Sequence, residues 1–471
     1  MKAFPPLPIT REGIMKQEKL TTSLLGIGIP ILAGMAVTQV QQITDQAFLG
    51  NAAPEYLSAV GNAGFTIWTT MSFLFALGTG TAILVAQKLG EEKPEEAESI
   101  LGSTFVFSSF FSVLLFAIWF FGNRTIFRLM GLEEPILTYA ALYAKIYTVG
   151  LLFSGINTAA MAVYNGSGFT RPLMLASILR AGINIFLDWV LIFGKLGFPA
   201  MGIAGAAIAT LTAEIIGAAY TVTAAFSRKL PVYLSFTAIK QAKLGVYLRV
   251  IRIGIPASLE EFSWNIGNIV LIRFLNEIDP LAAGIYTIVA SITIVPALFF
   301  MAMGSATMTL SGRRTGEGRP AEIRRTGQTA MLMCWGVSTI FFALFVVFPE
   351  SFAGVFTRDP SVIAQTGAML LVNSFALFPR SANIVFGGGI RGMGDTRWML
   401  FTQIFGTIFV LIFARFLMFS LSLAILGLFL AVFLDETTRA VMNGRHFYSS
   451  VRRKSASRAL SEGETAVSDR L

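Results

Sequence analysis

The chain predicts an all-α membrane protein, with twelve transmembrane helices in two parallel six-helix bundles related by a pseudo-two-fold internal repeat. Three observations carry that prediction. Of 471 residues, 54% are hydrophobic and only 13% are charged, against roughly 25% charged in ordinary soluble domains. Apolar stretches of about twenty residues recur along nearly the whole chain, the length that a hydrocarbon layer about 30 Å thick demands of a spanning helix. The sequence also matches itself at one constant spacing. A soluble enzyme is a poor first reading. One histidine (His446) and one cysteine (Cys334) exclude a histidine or thiolate metal cluster and a disulfide framework.

Apolar runs bounded by Gly, Pro and charge place the spans in order. The first, 22–48, contains Pro30, and Thr38, Gln41, Gln42 and Asp45 interrupt its apolar stretch. No small-residue cleavage pattern follows, so it reads as a span rather than a cleaved signal. The second, 58–86, closes on the turn Gln87-Lys-Leu-Gly90, and the third, 100–122, follows the charged loop Glu91-Glu-Lys-Pro-Glu-Glu96. The fourth, 136–164, precedes Gly166-Ser-Gly-Phe-Thr-Arg-Pro172, which leads into the fifth, 173–194; the sixth, 202–226, opens at Gly202. The second half repeats the pattern with 253–276, which contains Pro256, then 282–310, 328–348, 364–390, 398–418 and 422–444.

With the N-terminus inside, inner segments hold 26 Lys and Arg residues and outer loops hold four: Arg124, Arg128, Lys195 and Arg358. That bias puts both termini in the cytoplasm. The net charge of +9 therefore reflects topology, and nucleic acid is not expected as a partner. The expected organisation is a cytoplasmic tail 1–21, a bundle 22–226, a cytoplasmic linker 227–252 with Pro231 and several lysines, a second bundle 253–448, and a cytoplasmic tail 449–471.

The self-match has an offset of 226. Ile27-Gly28-Ile29-Pro30 recurs as Ile253-Gly254-Ile255-Pro256, and Gly78, Lys88, Glu91 and Glu96 meet Gly304, Arg314, Glu317 and Glu322. Asn157, Gly166, Gly168 and Arg171 meet Asn383, Gly392, Gly394 and Arg397. Near the end the offset drops to 222, pairing Gly205 and Glu214 with Gly427 and Glu436. Six spans per repeat is an even number, so both halves cross in the same sense around an axis along the membrane normal, an arrangement found in transporters.

Ionisable groups within spans are costly unless paired or wet, which makes them candidates for function. Thr38, Gln41, Gln42 and Asp45 share one face of the first span, and Arg180, Asn184 and Asp188 share one face of the fifth. At the repeat offset Asp45 faces Leu271, Asn184 faces Val410 and Asp188 faces Ala414. Structural polar groups needed by both bundles should appear twice. Two carboxylates and an amide confined to one bundle are what a cation site requires, as oxygen ligands for Na⁺ or as a carrier of H⁺. Thr210 can add a hydroxyl. Pro30 and Pro256 each break a helical hydrogen bond, giving a gating bend or a static kink. Gln41, Gln42, Asn157, Arg180, Glu260 and Phe262 are candidates for lining a substrate cavity, Glu260 and its neighbour Glu261 being equally open to a structural role. Trp264, Met301 and Met303 either line an adaptable apolar cavity or serve packing. Glu214, Asp435, Glu436 and Arg439 read as a paired network near the cytoplasmic side.

These residues resemble a known family. The segments Asp45-Gln-Ala-Phe-Leu-Gly50, Gln87-Lys-Leu-Gly90 and Gly166-Ser-Gly-Phe-Thr-Arg-Pro172 look like the multidrug and toxic compound extrusion (MATE) family. So, more specifically, does Asn184-Ile-Phe-Leu-Asp188 followed by Gly202-Ile-Ala-Gly-Ala-Ala-Ile-Ala-Thr210. The similarity is nearest to the DinF-like branch. The resemblance implies a V-shaped antiporter that exports amphipathic, often cationic small molecules in exchange for H⁺ or Na⁺, with its cation site on Asp45, Asn184, Asp188 and Thr210. It implies no cofactor beyond the coupling ion, membrane lipids as surroundings, a monomer, and a multi-pass location in the cell membrane. The NorM-like branch has a seventh-span glutamate where this chain has Trp264, so a C-terminal cation site on Glu260 does not carry over. The alternative reading is a flippase for lipid-linked oligosaccharides, which requires a cationic cavity; Arg180, Arg273, Arg380 and Arg415 are the arginines available to it. A major-facilitator carrier is disfavoured because the loop after the second span lacks that family's Gly-x-x-x-Asp-Arg pattern.

Overall fold

The computed structural model describes the backbone of residues 11–468, with side chains described for 18–279 and 281–456. The first ten and last three residues, within the expected tails, lie outside the described residues. Helices account for nearly all of the described chain, which contains no strand.

Each expected span falls on one helix or one pair of joined helices. In order these are α1 (Arg11–Ala52), α2 (Pro54–Gly90), α3 (Pro94–Leu129), α4 (Ile136–Tyr147) joined to α5 (Leu151–Ser167), α6 (Arg171–Phe193) and α7 (Ile203–Ala225). A short α8 (Phe236–Lys240) precedes α9 (Leu244–Ile278), α10 (Pro280–Gly316) and α11 (Pro320–Val347). A further short helix, α12 (Pro349–Ala353), leads to α13 (Pro360–Gly392), α14 (Thr396–Arg415) and α15 (Ala424–Ser468). Proline opens several of these helices, including α2, α3, α10, α11 and α13, where its missing N–H and fixed φ cost nothing. Asp279 and Asp359 cap α10 and α13 by accepting from the backbone N–H of Leu281 and Ser361 at 2.9 and 2.8 Å.

Ten spans among the described residues are long and apolar enough to cross a membrane. The seventh and twelfth of the expected set, on α9 and α15, miss that measure because of their charges: Arg249, Arg252, Glu260, Glu261, Arg273 and Glu277 on α9, and Asp435, Glu436 and Arg439 on α15. The seventh helix also begins at Leu244, nine residues before the expected 253. Its first turns are held by burial: Tyr247 and Val250 point inward, Tyr247 meets Ser108 of α3 at 3.1 Å, and the Lys243 N–H donates to Ser103 Oγ at 3.1 Å. Between α4 and α5 the helix tightens to a 3₁₀ turn at Thr148–Gly150, where Ser112 of α3 donates to the Leu151 carbonyl and accepts from the Gly155 N–H.

The repeat is visible in the backbone. Left-handed residues recur at the sequence offsets: Glu92 with Gly318 (φ 59 and 64°), Gly168 with Gly394 (80 and 91°), and Gly202 with Ala424 (52 and 46°). The last pair is separated by 222, the shortened offset. Charge repeats too. Lys88 binds Glu91 and Glu96 at 2.7 and 2.8 Å, and Arg314 binds Glu317 and Glu322 at 2.6 and 2.9 Å. Hydrogen bonding to Lys88 holds the Glu91 carboxyl below its usual range.

The chain folds as two compact units. One contains residues up to Ile29, Val270–Met393 and Ile408 onward; the other contains Pro30–Ile269 and Gly394–Thr407. In the first, the start of α1 lies on α10, with Gly28 against Met303. In the second, the repeat-equivalent Gly254 of α9 lies against the backbone of Ala76 and Leu77 in α2, and Gly80 against Val250 and Gly254. No side chain fits between backbones at that approach, which is why glycine stands there. The second unit is cored by Ile67, Leu74, Trp119, Phe127 and Tyr164. In the first, Phe300, Phe345 and Phe447 are buried, and Phe447 fills the space over Gly327 and Gly389.

Candidate cation site in the N-terminal half

Four helices of the second unit supply the site. Asp45 and Gln41 stand one turn apart on α1, Asn184 and Asp188 one turn apart on α6, Thr210 on α7 and Tyr143 on α4. Asn184 and Asp188 are fully buried, at 0% and 1% exposure, and Gln41 and Tyr143 nearly so. Gln41 Nε2 donates to Asn184 Oδ1 at 2.6 Å, while Asn184 Nδ2 reaches Thr210 Oγ1 at 3.4 Å. Thr210 Oγ1 donates to the Ala206 carbonyl at 2.9 Å. The Asp45 carboxyl lies within interaction range of both Gln41 and Asp188. This chain of amides and a hydroxyl fixes Asn184 so that the two carboxyl groups stand next to each other.

One oxygen of each carboxyl is left over. Asp45 Oδ1 and Asp188 Oδ1 are buried with no hydrogen-bond partner among the described residues. Buried polar atoms are almost always paired, and an exception calls for a reason. Two ionised carboxylates side by side in a low-dielectric bundle repel, so a positive charge, a proton or a metal cation, belongs with them. Oxygen-only donors suit a hard cation such as Na⁺. No group of three or more His, Cys, Asp or Glu that could hold a metal ion occurs among the described residues.

The other sequence candidates are placed as follows. Gln42 and Phe262 are exposed and Glu260 is half-buried; none of them joins the carboxylate cluster. Asn157 accepts from Thr221 Oγ1 at 2.6 Å, and its repeat-mate Asn383 accepts from Asn443 Nδ2 at 2.7 Å. This polar pair is present in both halves. Arg180 meets Glu214 at 3.4 Å. Glu436, the repeat-mate of Glu214, is held by Arg380 at 3.1 Å and Asn383 at 3.0 Å, and Arg439 grips Asp435 at 2.6 Å. Asp435, Glu436 and Arg439 of the expected network therefore pair with one another and with Arg380 of α13, whereas Glu214 pairs separately with Arg180. Pro30 and Pro256 are buried inside continuous helices. Met303 is packed over Gly28 whereas Met301 is exposed. At the positions matching Asp45, Asn184 and Asp188, the C-terminal half buries Leu271, Val410 and Ala414.

Sequence reading missed Tyr143 and assigned Gln41 only to a substrate cavity. Tyr139, Tyr143 and Tyr147 recur every four residues on α4, and that polar stripe in an apolar span was the available signal. Tyr143 stacks on Tyr147 with ring centroids 5.7 Å apart.

A duplicated all-helical membrane fold with an acidic site in one half defines a multi-pass membrane transporter. The family model MatE matches residues 30–190 and 256–417, beginning at the two repeat-equivalent prolines, and the chain belongs to this family of transporters. An uncharacterized transporter of Bacillus subtilis, YisQ, is 22% identical over 93% of this chain and 96% of its own length. A probable multidrug resistance protein NorM of Thermotoga maritima is 27% identical over 80% and 81%. A solved MOP-superfamily transporter from Pyrococcus furiosus shares the fold, with TM-score 0.86, 21% identity, and coverage of 93% of this chain and 97% of that one.

Proposed function

We propose that the chain is a secondary active antiporter of the cell membrane, with both termini cytoplasmic, that exports amphipathic or cationic small molecules in exchange for H⁺ or Na⁺. The observation that carries this reading is the pair of unpartnered, buried carboxylate oxygens on Asp45 and Asp188, present in one half of a duplicated chain and replaced by buried apolar residues in the other. A cation there offsets one of the two negative charges, relieves the repulsion between them and stabilises one conformation of α1 and α6. Export follows only if the cation and the substrate prefer different conformations, because a ligand with equal affinity for both shifts nothing. The multidrug resistance names carried by relatives such as the Thermotoga NorM support drugs as the substrate class.

The arginine pairing does not favour the flippase reading, since Arg180 and Arg380 are each matched by a carboxylate while Arg273 and Arg415 share one. Arg180, Arg273, Arg380 and Arg415 each face a carboxylate within 3.4 Å: Glu214, Glu277, Glu436 and again Glu277. Export of a panel of cationic dyes from proteoliposomes, driven separately by Na⁺ and H⁺ gradients, tests the proposal. At coupling-ion concentrations that just saturate the wild type, Asp45→Asn and Asp188→Asn should lose nearly all gradient-driven export, and export at the wild-type rate in both would refute it.

A further inference from the structure

A second charged feature of the molecule lies beside an exposed apolar stripe. Along α3, Phe110, Leu114, Ile118 and Phe121 form one exposed apolar stripe, with Phe121 80% exposed. That is the surface a membrane helix turns to acyl chains. Beside this stripe, between the end of α3 and the start of α4, lies a groove of about 330 Å³ whose lining includes Phe120, Phe121, Arg124, Thr138, Leu142 and Lys145.

Lys145 is the anomaly in the groove. It is exposed, no carboxylate among the described residues lies within ion-pair distance of it, and its ammonium sits 5.6 Å from the Phe120 ring centroid. The span Ile136–Ser167 has 32 residues, about 48 Å at 1.5 Å per residue. Centred on an apolar layer about 30 Å thick, it overhangs by about 9 Å at each end. Lys145, nine residues along, is then about 5 Å inside the hydrocarbon boundary, and a lysine stem of roughly that length brings its ammonium up to the boundary, at the base of the headgroup layer. Arg124 reaches the same groove from α3. Its ion pair with Glu134 at 2.9 Å uses one edge of the guanidinium, and Glu134 also accepts from the Thr138 N–H at 3.2 Å, which ties the carboxylate to the start of α4. The local charge of Lys145, Arg124 and Glu134 is net positive, with apolar surface directly alongside.

We propose that this groove binds the phosphate headgroup of an anionic phospholipid, Lys145 and Arg124 holding the phosphate and an acyl chain lying along Phe121 and Leu142. The leaflet is the one on the α3–α4 loop side, which the topology proposed above makes the outer one. The proposal does not depend on the carboxylate pair and would survive its failure. On the opposite face of the same turn of α4, Tyr143 is buried next to the Asp45–Asp188 site, so the lipid lies directly behind a wall of that site.

The test is native mass spectrometry of the purified full chain, titrated with phosphatidylglycerol, with phosphatidylcholine of the same acyl chains, and with inorganic phosphate. Wild type should retain phosphatidylglycerol preferentially. Lys145→Met and Arg124→Gln should each weaken it about fivefold, while Lys145→Arg retains it and unfolding temperatures confirm that the variants are folded. Arg128→Gln, which removes an exposed cation at the same end of α3 but outside the groove, should change nothing. Equal loss in Arg128→Gln would show diffuse surface attraction, and full competition by inorganic phosphate would show a free-anion site; either result overturns the proposal, as does equal retention of the two lipids.

Discussion

Replacing Asp188 by Asn is the sharpest perturbation the structure offers. The change removes one negative charge and almost no volume, and the new amide sits where its oxygen can still face Asp45. A cation held about 4 Å from a carboxylate, at an effective dielectric near 20, gains about 4 kcal/mol from it. Losing that gain weakens cation affinity by about a thousandfold. Moving a two-state equilibrium from 1:99 to 99:1 requires about 5.5 kcal/mol of differential affinity, so a loss of this size removes most of the drive. The assay is the dependence of dye export from proteoliposomes on coupling-ion concentration. The half-saturating concentration should rise by about three orders of magnitude in Asp188→Asn, with dye binding in the absence of a gradient unchanged. A half-saturation within twofold of wild type would refute the assignment of Asp188 as a ligand.

Three further outcomes follow from the packing and pairing described above. Gly80→Val drives a side chain into the backbone of Val250 and Gly254, which overpacking costs at about 1–3 kcal/mol; thermal unfolding in detergent should show the loss, and an unchanged midpoint would contradict the close approach. Arg439→Met strips the buried Asp435 of its bidentate partner and should destabilise by about 3–5 kcal/mol, most of it recovered in the double variant Arg439→Met with Asp435→Leu; denaturation of both in detergent measures this. Thr221→Val and Asn443→Ala break the repeat-related bonds to Asn157 and Asn383, and each should cost about 1–2 kcal/mol with the coupling-ion dependence of export unchanged, since neither touches the carboxylate pair.

The spans and the repeat were legible because both are written in short-range patterns. Apolar length fixes the helices, and Pro, Gly and charged turns punctuate them twice at the same spacing, down to the four-residue shortening before Ala424. The asymmetry between Asp45, Asn184 and Asp188 and their apolar counterparts also needed only alignment of the chain with itself. What required three dimensions was pairing across helices. Gln41 is one stripe residue among four until its amide is seen on Asn184, and Tyr143 joins the site only because α4 packs beside α7. The early start of α9 was hidden for another reason. Arg249 and Arg252 break its hydropathy, while burial of Tyr247 and Val250 against α3 decides the helix. Similarly, α15 reads as half polar because Asp435, Glu436 and Arg439 satisfy one another in place.

If the Asp45–Asp188 pair binds the cation that is exchanged for substrate, binding of substrate must expel that cation. Cation release on substrate addition to purified protein tests it most directly, as protons taken up by a pH dye in weakly buffered solution or as displaced radioactive sodium. Wild type should release about one cation per substrate bound, and the double variant Asp45→Asn with Asp188→Asn should bind the substrate and release none. Undiminished release from the double variant would contradict the claim.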